Sequence, residues 1–134
     1  MQGSCLCGNV TLTTEDKQTF EACHCGMCRR WGGGPFMGFH CENGVEIEGE
    51  EFIQTFKSSD WAERGFCKQC GTHLYYKLIH ANLYTLPIGL FQDVEHLTFN
   101  EQIFIDKKPA FYSFSEQTTQ LTEQEVFENV CALK

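Results

Sequence analysis

The sequence predicts a mainly β domain with little helix. Short runs rich in β-branched and aromatic residues alternate polar with apolar, the period of a half-buried strand. Clusters of Gly, Asn and Glu separate several of them, where turns are needed. Seven of the nine cysteines fall in three tight groups spread over the first 70 residues, so they join distant segments and do not mark a small detachable finger. No repeat of constant period, long linker or low-complexity tract interrupts this pattern, and one domain over residues 1–134 is expected.

In chain order, Val10-Thr11-Leu12-Thr13 alternates and carries β-branched side chains, and reads as the first strand. A short turn is expected after Cys25. Phe36 to Cys41, Val45 to Glu48 and Phe52 to Phe56 alternate likewise, with Glu42-Asn43-Gly44 and Glu48-Gly49-Glu50 as the turns around them. His73 to Tyr76, Leu83 to Leu86 and Gln102 to Ile105 complete the strands. Thr122 and Glu125 stand three apart, the spacing of a capping box, and open a helix over Glu123 to Val130. Cys41 reads as a small buried strand residue, and Cys131 lies near the end of that last helix.

Composition narrows the functional classes. Across 134 residues, 10 Lys and Arg stand against 18 Asp and Glu, a net charge of −8. That balance disfavours nucleic acid or an anionic membrane as partner, since both are bound through basic surface. Aromatic residues make up 13% of the chain, twelve of them Phe, enough for a packed core. No apolar run approaches the roughly 18 residues that span a bilayer; the most apolar, Leu83 to Phe91, is broken by Thr85 and Pro87. Met1-Gln2-Gly3-Ser4-Cys5 lacks the basic segment and apolar run of a signal peptide, so a cytoplasmic location is expected.

The cysteines carry the chemistry. Their number is odd, and Cys5-Leu6-Cys7 is poorly suited to a disulfide, whose Cα atoms sit roughly 4.4–6.8 Å apart with a fixed twist. Close spacing suits chelation, because two thiolates on one turn can face a common ion. Zinc takes four tetrahedral nitrogen or sulfur ligands. The economical partition gives Cys5, Cys7, Cys67 and Cys70 to one zinc and leaves Cys23, Cys25 and Cys28 to a second, although spacing alone leaves other pairings open. Four thiolates close a structural site, whereas three leave a position for water or substrate, the pattern of a catalytic zinc. A fourth protein ligand would instead make the second site structural; His24, His40, Cys41 and His73 are the candidates. Arg29 and Arg30 follow the triple and are placed to keep its sulfurs ionised, and Gly32-Gly33-Gly34 would let a ligand approach the backbone.

These motifs resemble a known family. Gly3-Ser4-Cys5-Leu6-Cys7-Gly8-Asn9-Val10 is similar to the opening Gly-x-Cys-x-Cys-Gly-x-Val of the glutathione-dependent formaldehyde-activating enzymes, a group that includes the centromere protein V proteins. Cys23-His24-Cys25-Gly26-Met27-Cys28-Arg29 matches the family's Cys-His-Cys-x-x-Cys-Arg, and Gly33 to Phe36 resembles its Gly-x-Pro-Phe continuation. Arg64-Gly65-Phe66-Cys67-Lys68-Gln69-Cys70-Gly71-Thr72-His73-Leu74 resembles its Arg-x-Phe-Cys-x-x-Cys-Gly-x-x-Leu block. Near the C-terminus many members carry Lys/Arg-Ala-Pro-Trp, where this chain reads Lys107-Lys108-Pro109-Ala110-Phe111-Tyr112.

The resemblance implies a β-tent fold with two zinc ions. It implies a structural ion on Cys5, Cys7, Cys67 and Cys70, and an ion linked to catalysis on Cys23, Cys25 and Cys28. It also implies carbon–sulfur lyase chemistry, making or breaking the adduct of glutathione and formaldehyde, S-hydroxymethylglutathione. On that reading a thiol ionises at the open position of the second zinc, with His24 or His40 as candidate proton carriers. Glutathione is an anion and so is this chain, so local cations must compensate; Arg29, Arg30 and Arg64 are the candidate contacts. The alternative expectation is a zinc-stabilised protein-binding module without catalysis.

Overall fold

The computed structural model describes residues 1–132, with side chains through residue 129; the side chain of Cys131 therefore lies outside the described residues. Among the described residues there are eleven strands and two α-helices, so the mainly β expectation holds. The chain divides into two compact units, each made from two stretches: Met1–Gln18 with Gly38–Leu97, and Thr19–Met37 with Thr98 onward. Among the described residues no helix is long and apolar enough to cross a membrane.

The first unit holds two β layers. A small sheet joins β1 (Gln2–Ser4), β2 (Thr11–Thr13) and β5 (Glu46–Glu48) in the order β1-β2-β5, all antiparallel. In β2 the alternation buries Leu12 completely between two half-buried threonines, as the sequence pattern requires. A longer meander runs through β4 (Phe36–Cys41, pairing from Gly38), β9 (Leu83–Pro87), β8 (His73–Leu78), β7 (Ala62–Cys67) and β6 (Ile53–Lys57). Its buried side chains include Phe39, Cys41, Ala62, Leu74, Tyr75 and Leu86. Cys41 is a core residue, accepting a hydrogen bond from Thr14 Oγ1 at 3.2 Å. The alternation in β6 buries no face: Gln54 to Lys57 are all exposed, and among the described residues the strand pairs with β7 alone.

The second unit is built on parallel pairing. β3 (Thr19–Cys23) and β11 (Thr119–Leu121) flank β10 (Thr98–Ile103), with Gln102 opposite Ala22 and Ile103 opposite Cys23. The expected strand Gln102 to Ile105 overlaps β10 only at Gln102 and Ile103, since β10 begins at Thr98 and stops at Ile103. Phe104 takes a left-handed conformation (φ 55°) and starts a 3-10 turn over Ile105–Lys107, which ends the ladder two residues early. β1, β3, β7 and β11 were not expected as strands; β1 and β11 are three residues long, and β7 carries Gly65 and adjacent charges in place of clean alternation. The short turn after Cys25 is helix α1 (Gly26–Gly32). The capping box opens α2 (Glu123–Ala132): Thr122 N–H donates to Glu125 Oε1 at 3.0 Å, and Glu125 N–H donates to Thr122 Oγ1 at 3.2 Å.

Candidate metal centres and the cleft beside them

In the first unit, two tight turns present the four sulfurs. One follows β1: Gly8 N–H donates to Cys5 C=O, and Cys5 N–H to Val10 C=O, each at 3.0 Å. The other follows β7: Gly71 N–H donates to Cys67 C=O at 2.7 Å, and Cys67 N–H to Thr72 C=O at 2.9 Å. Both turns close through a left-handed glycine, Gly8 at φ 82° and Gly71 at φ 78°, a conformation costly for a residue with a Cβ. Thr72 links them, since its Oγ1 accepts from Leu6 N–H at 3.1 Å and lies 3.2 Å from Cys70 Sγ.

Cys5, Cys7, Cys67 and Cys70 thus bring their sulfurs within 4.8 Å of one another. Cys5–Cys7 and Cys7–Cys67 stand at 3.6 and 3.7 Å. A disulfide needs about 2.05 Å, whereas a tetrahedral zinc with bonds of about 2.3 Å sets its sulfurs about 3.8 Å apart. The spacing therefore fits a four-sulfur metal site and not a cross-link. Hydrogen bonds from the Thr72 hydroxyl and backbone draw the Cys70 thiol down to about 5, which favours its thiolate.

In the second unit, Cys23 ends β3, Cys25 is the N-cap of α1, and Cys28 occupies that helix's first turn. Cys28 N–H donates to Cys25 Sγ at 3.3 Å, and this cap folds the loop so that all three sulfurs lie within 4.8 Å of one another. Hydrogen bonds shared with Cys25 and Cys28, and then burial, push the Cys23 thiol well above its ordinary value. Three sulfurs so close share protons among themselves unless a cation takes their place, so this donor set too suits a soft metal.

Among the described residues no fourth His, Cys, Asp or Glu joins the triple. None of the candidates His24, His40, Cys41 and His73 belongs to that sulfur group. His24 is fully buried with Nε2 2.8 Å from Gln102 Oε1 and Nδ1 2.8 Å from the Tyr112 hydroxyl. Burial holds its imidazole below the ordinary value, assisted by the charges of Lys108 and Arg29. His40, Cys41 and His73 belong to the first unit, where His40 Nδ1 meets Thr85 Oγ1 at 2.9 Å.

A cleft of about 430 Å³ in the same unit is lined by Arg29 and Arg30, the two residues that follow Cys28 on α1, with the Gly33-Gly34 turn, Pro35, Phe111 and Tyr112. Arg29 is pinned by its Nε–H, which donates to His24 C=O at 3.0 Å, while Arg30 is exposed. Arg64, the third expected contact, lies in the first unit on β7 at 3% exposure, its guanidinium carbon 4.9 Å from the Tyr76 ring centre. Tyr112, Gln102 and Thr72 escaped the sequence reading as site residues. The first two meet His24 across 88 and 78 residues, a pairing that leaves no local signal in the chain.

Known proteins agree with this architecture. A Schizosaccharomyces pombe protein described as an uncharacterized lyase is 37% identical over 131 residues, covering 96% of each chain. A solved Rhodobacter sphaeroides protein shares the fold, with a TM-score of 0.61 at 22% identity over 71% of this chain and 91% of its own. The model of the glutathione-dependent formaldehyde-activating enzymes matches residues 1–107, the stretch that contains all seven clustered sulfurs and both arginines of the cleft. By its sequence and by the two sulfur clusters it assembles, the chain belongs to the glutathione-dependent formaldehyde-activating enzyme family.

Proposed function

We propose that this protein is a zinc-dependent carbon–sulfur lyase that makes or breaks the bond between a thiol and an aldehyde carbon, with S-hydroxymethylglutathione as the type of adduct. Residues 1–134 act in this proposal as one zinc-binding domain of the β-tent type. Cys5, Cys7, Cys67 and Cys70 hold a structural zinc, and Cys23, Cys25 and Cys28 hold the zinc of the reaction. When bound there, the metal supplies an electrophile that lowers the proton affinity of a thiol. The observation that carries the proposal is the unequal pair of clusters, one with four sulfurs and one with three, the latter followed in the chain by the arginines of a cleft.

The chain's own residues do the binding and orienting. Arg29 and Arg30 supply two guanidinium groups to the cleft, suited to the carboxylates of glutathione, and offset locally the net charge of −8. We confine the contact role to these two, because the Arg64 guanidinium is buried against Tyr76. Gly33 and Gly34 keep that part of the wall free of side chains, so a peptide-like ligand can lie against the backbone. The His24 hydrogen bonds leave neither ring nitrogen for a metal and anchor the loop that presents Cys23 and Cys25.

The test is elemental analysis combined with calorimetric titration of glutathione and of unrelated thiols. Two zinc ions per chain with heat on glutathione addition, and breakdown of S-hydroxymethylglutathione above its spontaneous rate, are the expected results. Two ions with no response to any thiol would replace this reading with that of a protein-binding module.

A further inference from the structure

His24 is the only polar side chain between Cys23 and Cys28 that is not a sulfur, and it is fully buried. Its two hydrogen bonds have a direction. Gln102 Nε2 donates to Thr118 Oγ1 at 3.0 Å, which turns the amide oxygen toward the imidazole. An amide oxygen only accepts, so His24 Nε2 carries the ring hydrogen. The Nδ1 of that neutral ring is then an acceptor, and the hydroxyl 2.8 Å away on Tyr112 donates to it. The single proton of Tyr112 is thereby spent inward, and its oxygen retains only the capacity to accept.

That oxygen belongs to a held side chain. The Lys108 ammonium lies 5.3 Å from the Tyr112 ring centre and donates to the carbonyls of Pro109 and Tyr112 and to Ser113 Oγ, which fixes the loop behind the ring. Phe111 and Phe114 pack against it with ring centres 5.4 and 6.3 Å away. Tyr112 also lines the cleft. A residue of the cleft wall thus carries an oxygen of fixed position and fixed hydrogen-bonding sense.

We infer that Tyr112 is a specificity-determining residue whose phenol oxygen accepts a hydrogen bond from the hydroxyl of an S-(hydroxyalkyl) thiol adduct. This rests on the thiol-adduct reading above and adds to it the group that separates an adduct from a thioether without a hydroxyl. A site built to hydrogen-bond a substrate hydroxyl discriminates against an analogue lacking it, and one neutral hydrogen bond corresponds to roughly a three- to tenfold difference in affinity.

The probes are S-(2-hydroxyethyl)glutathione and S-propylglutathione, stable ligands with the same number of heavy atoms, titrated into the zinc-loaded protein. The native protein is expected to bind the hydroxylated probe about three- to tenfold more tightly. Tyr112→Phe keeps the ring packing and is expected to bring the ratio of the two probes' affinities to about one; any loosening of the loop through the lost His24 bond acts on both probes alike and leaves that ratio as the readout. Equal binding of the two probes by the native protein, or a preference that survives Tyr112→Phe, overturns the inference and leaves the thiol-adduct reading standing. Failure of the native protein to bind either probe or glutathione overturns both. Nitrogen-15 spectra of the imidazoles give a readout apart from binding: His24 is expected as the Nε2–H tautomer, and an Nδ1–H tautomer removes the basis of the inference.

Discussion

Gly65→Ala tests the packing that positions one half of the four-sulfur cluster. Gly65 lies on β7 opposite Tyr75 of β8, and a Cβ there would fall 2.5, 2.6 and 2.9 Å from three atoms of the Tyr75 ring. Carbon atoms rest about 3.5–4.0 Å apart, so the added methyl overlaps the ring by about 1 Å. Tyr75 is 6% exposed and meets Tyr84 edge-on at 5.1 Å, which leaves it little freedom to yield. If the strands part slightly, overpacking costs about 1–3 kcal/mol. If the ring is expelled, loss of roughly 150–250 Å² of buried surface costs about 4–6 kcal/mol. A loss of about 2–4 kcal/mol is expected, lowering Tm by on the order of 10 °C. Because Cys67 is two residues further along β7, the same strain should weaken retention of the zinc proposed for the four-sulfur cluster. Urea unfolding and thermal melts of the metal-loaded protein measure the first effect, and chelator competition measures the second. Gly65→Ala with Tyr75→Leu should recover more than about 1 kcal/mol relative to additivity. A Gly65→Ala protein that melts within about 2 °C of the native one, or a double variant that is merely additive, would refute the cross-strand packing.

Two further outcomes separate the clusters and probe the core. Cys67→Ala should unfold the protein at much lower denaturant, because it removes a proposed zinc ligand from a cluster joining segments 60 residues apart. Cys28→Ala should instead leave most of the melt intact while abolishing the heat of glutathione binding; equal destabilisation by the two would point to two structural sites. Burial, and then the Glu63 charge, push the Tyr75 phenol up to about 12. A raised folded-state value contributes stability that is complete below about pH 10 and is lost as pH rises toward 12. Tyr75→Phe should therefore flatten the decline in stability measured between pH 10 and 12, by no more than about 3 kcal/mol. An unchanged alkaline slope would refute the assignment.

The parts of this protein legible in the chain are those set over a few residues. Cys5 and Cys7, Cys67 and Cys70, and the Cys23–Cys28 run lie so close that a single turn brings each group's sulfurs together, and glycines at 8 and 71 mark where two of those turns must close. Thr122 and Glu125 fix the start of α2 for the same reason, because both bonds of the cap lie within one helical turn. Alternation located β2 and β4 but missed β7 and β11, where pairing with neighbours decides the conformation more than local preference does. It also misjudged the end of β10, since nothing in Ile103-Phe104-Ile105 announces a left-handed phenylalanine.

What tertiary structure alone decided is which distant groups meet. Parallel pairing of β10 with β3 sets Gln102 opposite Ala22, and so brings its amide to His24 across 78 residues. The loop after the Ile105–Lys107 turn returns Tyr112 to the same imidazole. The fold also sorted three similar arginines, placing Arg29 and Arg30 at a cleft and Arg64 in a buried strand. Local spacing dictates chemistry that fits within one turn. Contacts between segments many residues apart depend on strand register, and register is a property of the assembled sheet.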